Sequence, residues 1–153
     1  MIRVLFVCQG NICRSPMAEF IFRDMVEKRG LGEKIACASA AVSAEEIGNP
    51  VYPPARRKLA SLGIGCEGKR ARQMTRADYD AYDLLIGMEQ WNISRMRQIC
   101  GGDPKGKIRL MLEKSPRPRD IADPWYTGDF DAACRDITEG CRLLLEELQA
   151  VNA

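Results

Sequence analysis

The sequence predicts an α/β fold, in which a single domain (residues 1–153) is built on a parallel sheet of about four strands with helices on both faces. Apolar runs typical of strands buried on both faces alternate with segments of helical periodicity. The 153 residues, 46% of them hydrophobic, suit one compact core. We find no internal repeat or low-complexity segment that would indicate another architecture.

The strands are predicted from short apolar runs. Residues 2–7 form the first and most continuous run, and a shorter one follows the first helix. "DLLIGM" and "KIRLML" are two further runs of strand length. The predicted strands are residues 2–7, 35–40, 83–88 and 107–112.

The helices are predicted from their periodicity and from residues typical of helix ends. Ser15 and Pro16 suit the start of the first helix, and Gly30 suits its end. Thr75 with Asp78 forms a capping-box pattern that starts a short helix. The other predicted helices cover residues 53–63, 89–99 and 130–148, and residues 113–129 are predicted to be a long loop.

The composition excludes several classes of function. With 23 Lys and Arg against 21 Asp and Glu, the net charge of +2 is too small for general attachment to nucleic acid or to a membrane surface. No stretch approaches the ~20 apolar residues of a membrane span, and the N-terminus lacks a signal-peptide pattern. We therefore expect a cytoplasmic protein, a monomer or weak dimer, without nucleic-acid or membrane partners.

The chain contains seven cysteines and no histidine. The absence of histidine excludes Ser-His-Asp and Cys-His catalysis, so any nucleophile must be activated in another way. An odd number of cysteines without paired C-x-x-C units predicts free thiols, most of them inert core residues, and no metal or other cofactor. The cysteines are Cys8, Cys13, Cys37, Cys66, Cys100, Cys134 and Cys141.

The stretch "VCQGNICRSPMAE" (7–19) joins the first strand to the first helix. Gly10 permits a tight turn and Asn11 tolerates a left-handed conformation, so successive backbone N–H groups can point inward and bind an anion at the helix N-terminus. The positive end of the helix and Arg14 favour the thiolate form of Cys8 at the floor of this turn. The turn is therefore predicted to hold an activated thiol beneath an anion. The plainer interpretation is a buried cysteine, a turn glycine and a surface arginine.

Arg14 and Ser15 complete this turn. The planar guanidinium of Arg14 can bind two oxygens of a phosphate at once. Ser15 has two possible roles, either donating its hydroxyl to the thiolate or serving as an ordinary helix cap.

The long loop offers an acid in "ADPWYTGD". Thiolate attack on a phosphate ester requires a group that protonates the leaving oxygen, and Asp123 is the leading candidate. Pro124 restricts Asp123 to extended conformations, and Trp125 and Tyr126 can wall a pocket for an aromatic leaving group. Taken alone, this segment reads more readily as a simple turn.

These motifs resemble those of the low-molecular-weight protein tyrosine phosphatase family. "VCQGNICRSPMAE" matches its V-C-x-G-N-x-C-R-S-P-x-A-E signature, "DPWY" its D-P-[YW]-Y loop, and "SAAVSAEEIGNP" (39–50) its S-A-A/G…G-N-P segment. The resemblance implies a hydrolase that removes phosphate from tyrosine-phosphorylated proteins. Cys8 would form a phosphocysteine, Arg14 would bind the phosphate, and Asp123 would act as acid and then as base.

The resemblance also implies the other residues of the site. Ser39 would support the phosphate-binding loop together with Asn11 and Ser15. The loop itself would consist of Gln9, Gly10, Asn11, Ile12, Cys13, Arg14 and Ser15. The substrate pocket would be formed by Ile12, Glu45, Trp125 and Tyr126.

Three positions bear on regulation and substrate preference. The resemblance implies that Cys13 traps an oxidised Cys8 as a disulfide; the alternative is that Cys13 only packs within the loop. Glu45 stands where an aromatic residue often walls the pocket, and Lys69 replaces a histidine found in some members. The change at Glu45 bears on substrate preference.

The sequence also bears on four alternative functions, two of them in proteins with the same phosphate-binding loop. Arsenate reductases need a further cysteine pair after the third strand, and "GMEQWNISRM" has none. Phosphoarginine phosphatases typically carry threonine at the position of Ile12. A non-catalytic phosphopeptide-binding module would need neither Cys8 nor Asp123. A nucleotide-binding protein is disfavoured because the first turn lacks the glycine patterns of such sites.

Overall fold

A four-stranded parallel sheet forms the centre of the protein, in a computed structural model that describes residues 1–151. The strand order is β2-β1-β3-β4, with every neighbouring pair parallel. The predicted α/β fold with about four parallel strands is therefore confirmed. The strands are β1 (Ile2–Cys8), β2 (Ile35–Ala41), β3 (Leu84–Gly87) and β4 (Ile108–Leu110).

The position of β1 determines where a ligand can bind. This strand lies between β2 and β3, and residues 4–7 are fully buried, as their continuous apolar run predicts. After β1 the chain pairs first on one side with β2 and then on the other side with β3. In such sheets the strand order reverses at a switch point, and a crevice opens beyond the carboxyl ends of the strands. Cys8, the last residue of β1, lies at this point.

Helices cover both faces of the sheet, as predicted. On one face α1, α2 and α6 pack over Val4 and Phe6, where Phe6 meets Phe22 edge to face at 5.5 Å between ring centroids. On the other face α3 and α4 pack over Leu5 and Val7. The helices are α1 (Arg14–Lys28), α2 (Pro53–Ser61), α3 (Ala77–Ala81), α4 (Gln90–Cys100), α5 (Pro124–Thr127) and α6 (Phe130–Val151).

Two predicted helix starts are wrong in detail. Helix α1 begins at Arg14 with Cys13 at the cap position, so Ser15 lies inside the first turn and is not the cap. Helix α3 begins at Ala77. There the Asp78 carboxylate accepts a hydrogen bond from the Thr75 N–H (2.8 Å), but the Thr75 hydroxyl makes no cap bond. Only half of the predicted capping box therefore forms.

The end of β4 also differs from the prediction. The apolar run 107–112 was expected to be strand throughout, but β4 ends at Leu110 and the chain turns. Met111 packs against α6 at Gly140, where a Cβ atom would lie 2.8 Å from the Met111 Cγ. These apolar residues fill the core between sheet and helix, which explains their hydrophobicity without strand pairing. The predicted loop 113–129 likewise contains the short helix α5.

The cysteines and the last helix follow the prediction. All seven cysteines are free, and those outside the opening motif are buried except Cys37, which is half-buried. Along α6 the predicted apolar face is buried, while Phe130 at its start is half-buried. Among residues 1–151, no helix has the length and apolar character to cross a lipid bilayer.

Candidate active site

A cavity of about 130 Å³ opens beyond the carboxyl end of β1. Three segments distant in sequence meet there: the turn after β1, the segment after β2 and the loop that carries α5. No group of three or more Cys, Asp or Glu side chains suited to a metal ion occurs within residues 1–151. The cavity is lined by Cys8, Gln9, Gly10, Ile12, Cys13, Arg14, Glu45, Glu46, Asp123, Trp125 and Tyr126.

The Cys8 sulfur is held by Ser15. The Ser15 hydroxyl lies 3.0 Å from the Cys8 Sγ, and the Ser15 backbone N–H donates to the same sulfur at 3.4 Å. Since the Ser15 oxygen already accepts a hydrogen bond from Asn11 (2.8 Å), its own proton is available to the sulfur. A carbonyl oxygen, that of Ala40, lies farther from the hydroxyl, at 3.4 Å. Of the two roles left open for Ser15, the geometry favours donation to a thiolate.

Asn11 organises the turn through all of its polar atoms. Its backbone has φ 60°, the left-handed conformation expected of it. The side-chain NH₂ donates to the hydroxyls of Ser15 (2.8 Å) and Ser39 (2.9 Å), while its oxygen accepts from the Arg72 N–H (3.2 Å). An amide is the side chain that supplies two donors and an acceptor at one position. Ser39 therefore lies where the resemblance placed it, in support of the loop.

The hydrogen-bonded chain continues into a buried charge pair. Ser39 donates its hydroxyl to Glu19 at 2.6 Å, and the Lys69 ammonium lies 3.7 Å from the same carboxylate oxygen. Lys69 also donates to the Ser39 carbonyl at 2.9 Å. Burial lowers the pKa of Lys69, against the attraction of Glu19. Our sequence reasoning assigned no role to Glu19, although its spacing one helical turn after Ser15 placed it on the same helix face.

Gly10 lies in the turn with close neighbours and without a positive φ. The positive φ of this turn belongs to Asn11, and Gly10 is not among the glycines with positive φ. A side chain at this position would crowd Glu46, because a Cβ atom at Gly10 would lie 3.3 Å from the Glu46 Cγ. Glu46, whose role was not anticipated, thus packs directly on the loop and lines the cavity.

Arg14 is the most deeply buried cation of the site, with 1% of its surface exposed. Its guanidinium donates to the Ile121 carbonyl (2.8 Å) and forms ion pairs with Glu89 (3.1 Å) and Asp123 (3.3 Å). Burial alone would lower the pKa of Arg14, but Cys8, Asp123 and Glu89 together outweigh burial and raise it. Arg14 is therefore a fixed positive charge. Glu89 was missed by sequence reasoning, although it follows β3 at the same edge of the sheet as Cys8.

Asp123 reaches the cavity from the long loop. It adopts the extended backbone expected before Pro124, with φ −77° and ψ 112°. One carboxylate oxygen accepts the Trp125 N–H at 3.1 Å as the cap of α5, and the other lies 3.3 Å from the Arg14 guanidinium. The side chain is 19% exposed and so remains in contact with solvent. The structure thus brings together the three residues Cys8, Arg14 and Asp123.

The mouth of the cavity is aromatic and acidic. Ile12, Glu45, Trp125 and Tyr126, the residues that the resemblance implies for a substrate pocket, all line the cavity. Trp125 is 51% exposed and Tyr126 84% exposed, so both rings are available to a ligand. Tyr52, which sequence reasoning did not identify, packs against Trp125 at 4.8 Å between ring centroids. Only the folded chain brings this tyrosine to the α5 loop.

The two thiols of the turn have different environments. Burial raises the pKa of the Cys13 thiol to about 12, and the negative charges of Cys8 and Asp123 add to this effect. Cys13 is therefore a protonated thiol at neutral pH. Cys8 instead has two hydrogen-bond contacts from Ser15 to its sulfur.

Comparison with known proteins agrees with this arrangement. The sequence profile described as "Low molecular weight phosphotyrosine protein phosphatase" matches residues 3–153. The low molecular weight protein-tyrosine-phosphatase YfkJ of Bacillus subtilis is 42% identical over 151 residues, 97% of each chain. A human low molecular weight phosphotyrosine protein phosphatase is 35% identical over 94% of each chain.

Solved structures of similar sequence share the fold. The crystal structure of B. subtilis YfkJ superposes with a TM-score of 0.95 and covers 100% of this chain and 98% of its own. A Drosophila arginine phosphatase is 28% identical with a TM-score of 0.89, covering 96% of this chain and 98% of its own. The profile match and the identity over nearly the whole length show that this chain belongs to the low molecular weight phosphotyrosine protein phosphatase family and is a phosphatase.

Proposed function

We propose that the protein hydrolyses phosphotyrosine and other aryl phosphate monoesters through a phosphocysteine intermediate formed on Cys8. The observation that carries the proposal is the meeting of the Cys8 sulfur, Arg14 and Asp123 in one cavity whose mouth is lined by Trp125 and Tyr126. A sulfur nucleophile, a fixed cation and a carboxyl group are the groups that transfer of a phosphoryl group from an aryl ester to a thiolate requires.

In the first step the Cys8 thiolate attacks phosphorus. The sulfur–phosphorus bond forms as the bond from phosphorus to the phenolic oxygen breaks, and the electron pair leaves on that oxygen. Protonated Asp123 donates its proton to the leaving oxygen. Meanwhile Arg14 and the backbone N–H groups of the turn bind the other phosphate oxygens, where negative charge spreads in the transition state.

In the second step water replaces the cysteine. Asp123, now a carboxylate, takes a proton from water as the water oxygen attacks phosphorus, and the sulfur–phosphorus bond breaks. Inorganic phosphate leaves and the thiolate is restored. The Ser15 hydroxyl, 3.0 Å from the sulfur, stabilises the departing thiolate and so assists this step.

Steady-state hydrolysis of four substrates by wild type and Cys8→Ser tests the proposal. The substrates are an aryl phosphate, phosphotyrosine, phosphoserine and phosphoarginine. We expect turnover of the two aryl esters, weak or no turnover of phosphoserine, and no turnover of any substrate by Cys8→Ser. Full activity of Cys8→Ser, or loss of wild-type activity on addition of a chelator, would contradict the proposed mechanism.

Phosphoarginine is a second candidate substrate. The similarity to the Drosophila arginine phosphatase supports it. Ile12 argues against it, because this side chain packs with Ala71 and Tyr52 and offers no hydroxyl to place water on the phosphoenzyme. We therefore expect kcat/KM for phosphotyrosine to exceed that for phosphoarginine, and the reverse order in the same panel would favour the second candidate. Arsenate reduction is disfavoured, because the segment "GMEQWNISRM" after the third strand lacks the additional cysteine pair that arsenate reductases need.

We further propose that Cys13 protects Cys8 from irreversible oxidation. Both thiols line the same cavity, which supports condensation of a Cys8 sulfenic acid with the Cys13 thiol to a disulfide and water. After mild peroxide treatment we expect wild type to recover with added thiol and Cys13→Ser to recover poorly. Equal recovery would leave Cys13 a packing residue.

Residues 1–153 would act as one catalytic domain, as a cytoplasmic monomer or weak dimer.

A further inference from the structure

A second cavity, of about 210 Å³, adjoins the proposed catalytic cavity. The two share three walls, because Ile12, Glu46 and Trp125 line both. Only the thickness of these side chains separates them. A substrate whose phosphorylated ring enters the first cavity must therefore place neighbouring groups over the second.

The floor of the second cavity is apolar and aromatic. Tyr52 packs against Trp125 on one side and Phe130 on the other, with centroids 4.8 and 6.0 Å apart, so its ring is held in place. Pro50 and Pro53 line the cavity beside Tyr52 and add rigid backbone. This surface suits the methylene groups of an extended peptide side chain.

The rim of the second cavity carries one cation that has no ion-pair partner within the described residues. Arg56 lines the cavity and is exposed, and it makes no ion pair or side-chain hydrogen bond with any part of the chain from residue 1 to 151. The cavity's carboxylate, that of Glu46, already accepts a hydrogen bond from Asn49. An incoming negative charge therefore finds an unpaired cation at Arg56, whereas a positive charge meets a Glu46 carboxylate that already has one donor, Asn49.

We propose that this cavity is a subsite for an acidic residue that flanks the phosphotyrosine of a peptide substrate. The inference rests on the proposed function. The acidic side chain lays its methylene groups on Tyr52 and Trp125 and pairs its carboxylate with Arg56. Since consecutive Cα atoms are about 3.8 Å apart, the shared wall places this residue within about two positions of the phosphotyrosine.

The charged side chains around the two cavities favour an acidic flanking residue at the second cavity. Glu45 lines the catalytic cavity alone and Glu46 lies in the wall between the two cavities, so an acidic residue is repelled from the 45–46 segment. On the other side, α2 presents Arg56 and Arg57, both exposed, and Lys58 is paired with Asp131. An acidic flanking residue is thus attracted toward α2 and away from the 45–46 segment.

Pairs of phosphotyrosine peptides that differ only by Glu or Gln test the inference. The substitution is placed one or two positions before or after the phosphotyrosine, and kcat/KM is measured at low salt relative to an aryl phosphate. The enzymes compared are wild type, Arg56→Ala, Arg56→Glu and the matched control Arg57→Ala, which alters the next exposed arginine of α2 outside the cavity.

For wild type we expect a preference of about two- to five-fold for Glu over Gln at one of these positions, the range of an exposed ion pair. Arg56→Ala abolishes the preference, Arg56→Glu reverses it, Arg57→Ala keeps it, and salt weakens it. The inference is overturned if wild type shows no preference, if Arg56→Ala retains it, or if Arg57→Ala removes it equally. Failure to hydrolyse even the aryl phosphate would instead overturn the proposed function, and the inference with it.

Discussion

The two sides of the catalytic cavity are built differently. On the phosphate side, the turn from Cys8 to Ser15 is buried except at Gln9 and Gly10, which are half-buried, and Asn11 uses every polar atom of its side chain in hydrogen bonds. On the substrate side, Glu45, Trp125 and Tyr126 are exposed; Glu45 lies in a turn, and the two aromatic residues lie in the four-residue helix α5 within the long loop. The first side is fixed before any ligand arrives, and the second is free to adapt.

This difference follows from what each side must bind. A phosphate group has one shape and charge, so donors fixed in advance need little rearrangement during the reaction. The flanking groups of a substrate vary, and exposed side chains on loops accommodate variation because few contacts are lost when they move. We therefore expect changes on the phosphate side to affect catalysis and folding, and changes on the substrate side to affect mainly KM. Asp123 is the exception, because it lies on the substrate side and is proposed to take part in the chemistry.

After the complete loss of activity expected of Cys8→Ser, replacing Asp123 gives the largest expected effect. Asp123→Ala should lower kcat for phosphotyrosine by roughly 10²–10⁴, because the phenolic oxygen then leaves without a proton. A very acidic phenol should be affected much less. Asp129→Ala, an exposed carboxylate of the same loop outside the cavity, is the control. Equal losses on good and poor leaving groups would show that the acid lies elsewhere.

Alkylation should distinguish the Cys8 thiol from the Cys13 thiol, both of which lie on the phosphate side of the cavity. The pKa of Cys13 is raised to about 12 from 9.0, so at neutral pH it carries about 10³-fold less thiolate than an ordinary cysteine. With limiting iodoacetamide at pH 7–8, fragmentation mass spectrometry should find Cys8 modified and Cys13 unmodified. The protein in urea, where both thiols are exposed, is the control. Labelling of Cys13 at the rate of an ordinary thiol would contradict its protonated state.

The same raised pKa has a consequence for stability at alkaline pH. Between about pH 9 and 12 the unfolded chain loses the Cys13 proton while the folded chain keeps it. The unfolded state then binds fewer protons, so the free energy of unfolding falls as pH rises through this window. Cys13→Ala should show a smaller decline over this window in urea unfolding experiments.

Asn11→Ala should test how much stability the hydrogen-bonded turn contributes. The substitution removes three hydrogen bonds, two of them buried and one partly buried, and places alanine at φ 60°. We expect the free energy of unfolding to fall by about 2–4 kcal/mol in urea titrations. Asn11→Gly loses the same bonds but tolerates the backbone, so it should be about 1–2 kcal/mol more stable than the alanine variant. Wild-type stability of both variants would mean that the network is dispensable.

Glu45 gives the smallest expected effect and tests the adaptable side. Glu45→Trp should lower KM for aryl phosphates several-fold, since an added aromatic contact is worth about 0.5–1.5 kcal/mol, with little change in kcat. Glu45→Gln should lower KM only by the salt-dependent part, which comes from the charge of the Glu45 carboxylate. Ala44→Trp, at the exposed neighbouring position outside the cavity, is the control. An unchanged KM for Glu45→Trp would mean that residue 45 does not contact the substrate.

Local sequence was sufficient to predict the strands and the motif residues. The run 2–7, apolar except for Arg3, predicted a strand buried on both faces, and Asn11 predicted the left-handed backbone. Pro124 likewise predicted the extended conformation of Asp123. In each case the determinant is a property of one residue or of a short run, which the chain carries into any tertiary context.

Other features were decided only by tertiary structure. Whether Ser15 caps a helix or contacts the Cys8 sulfur depended on where α1 begins relative to β1, because both roles use the same hydroxyl. The roles of Glu19, Glu89 and Tyr52 depended on partners 20 to 75 positions away in the chain. The sequence by itself thus determined the strands, the turn chemistry and the family. The tertiary structure decided which distant side chains hold the reactive groups, because a contact between residues far apart in sequence depends on strand order and helix packing, which no short segment encodes.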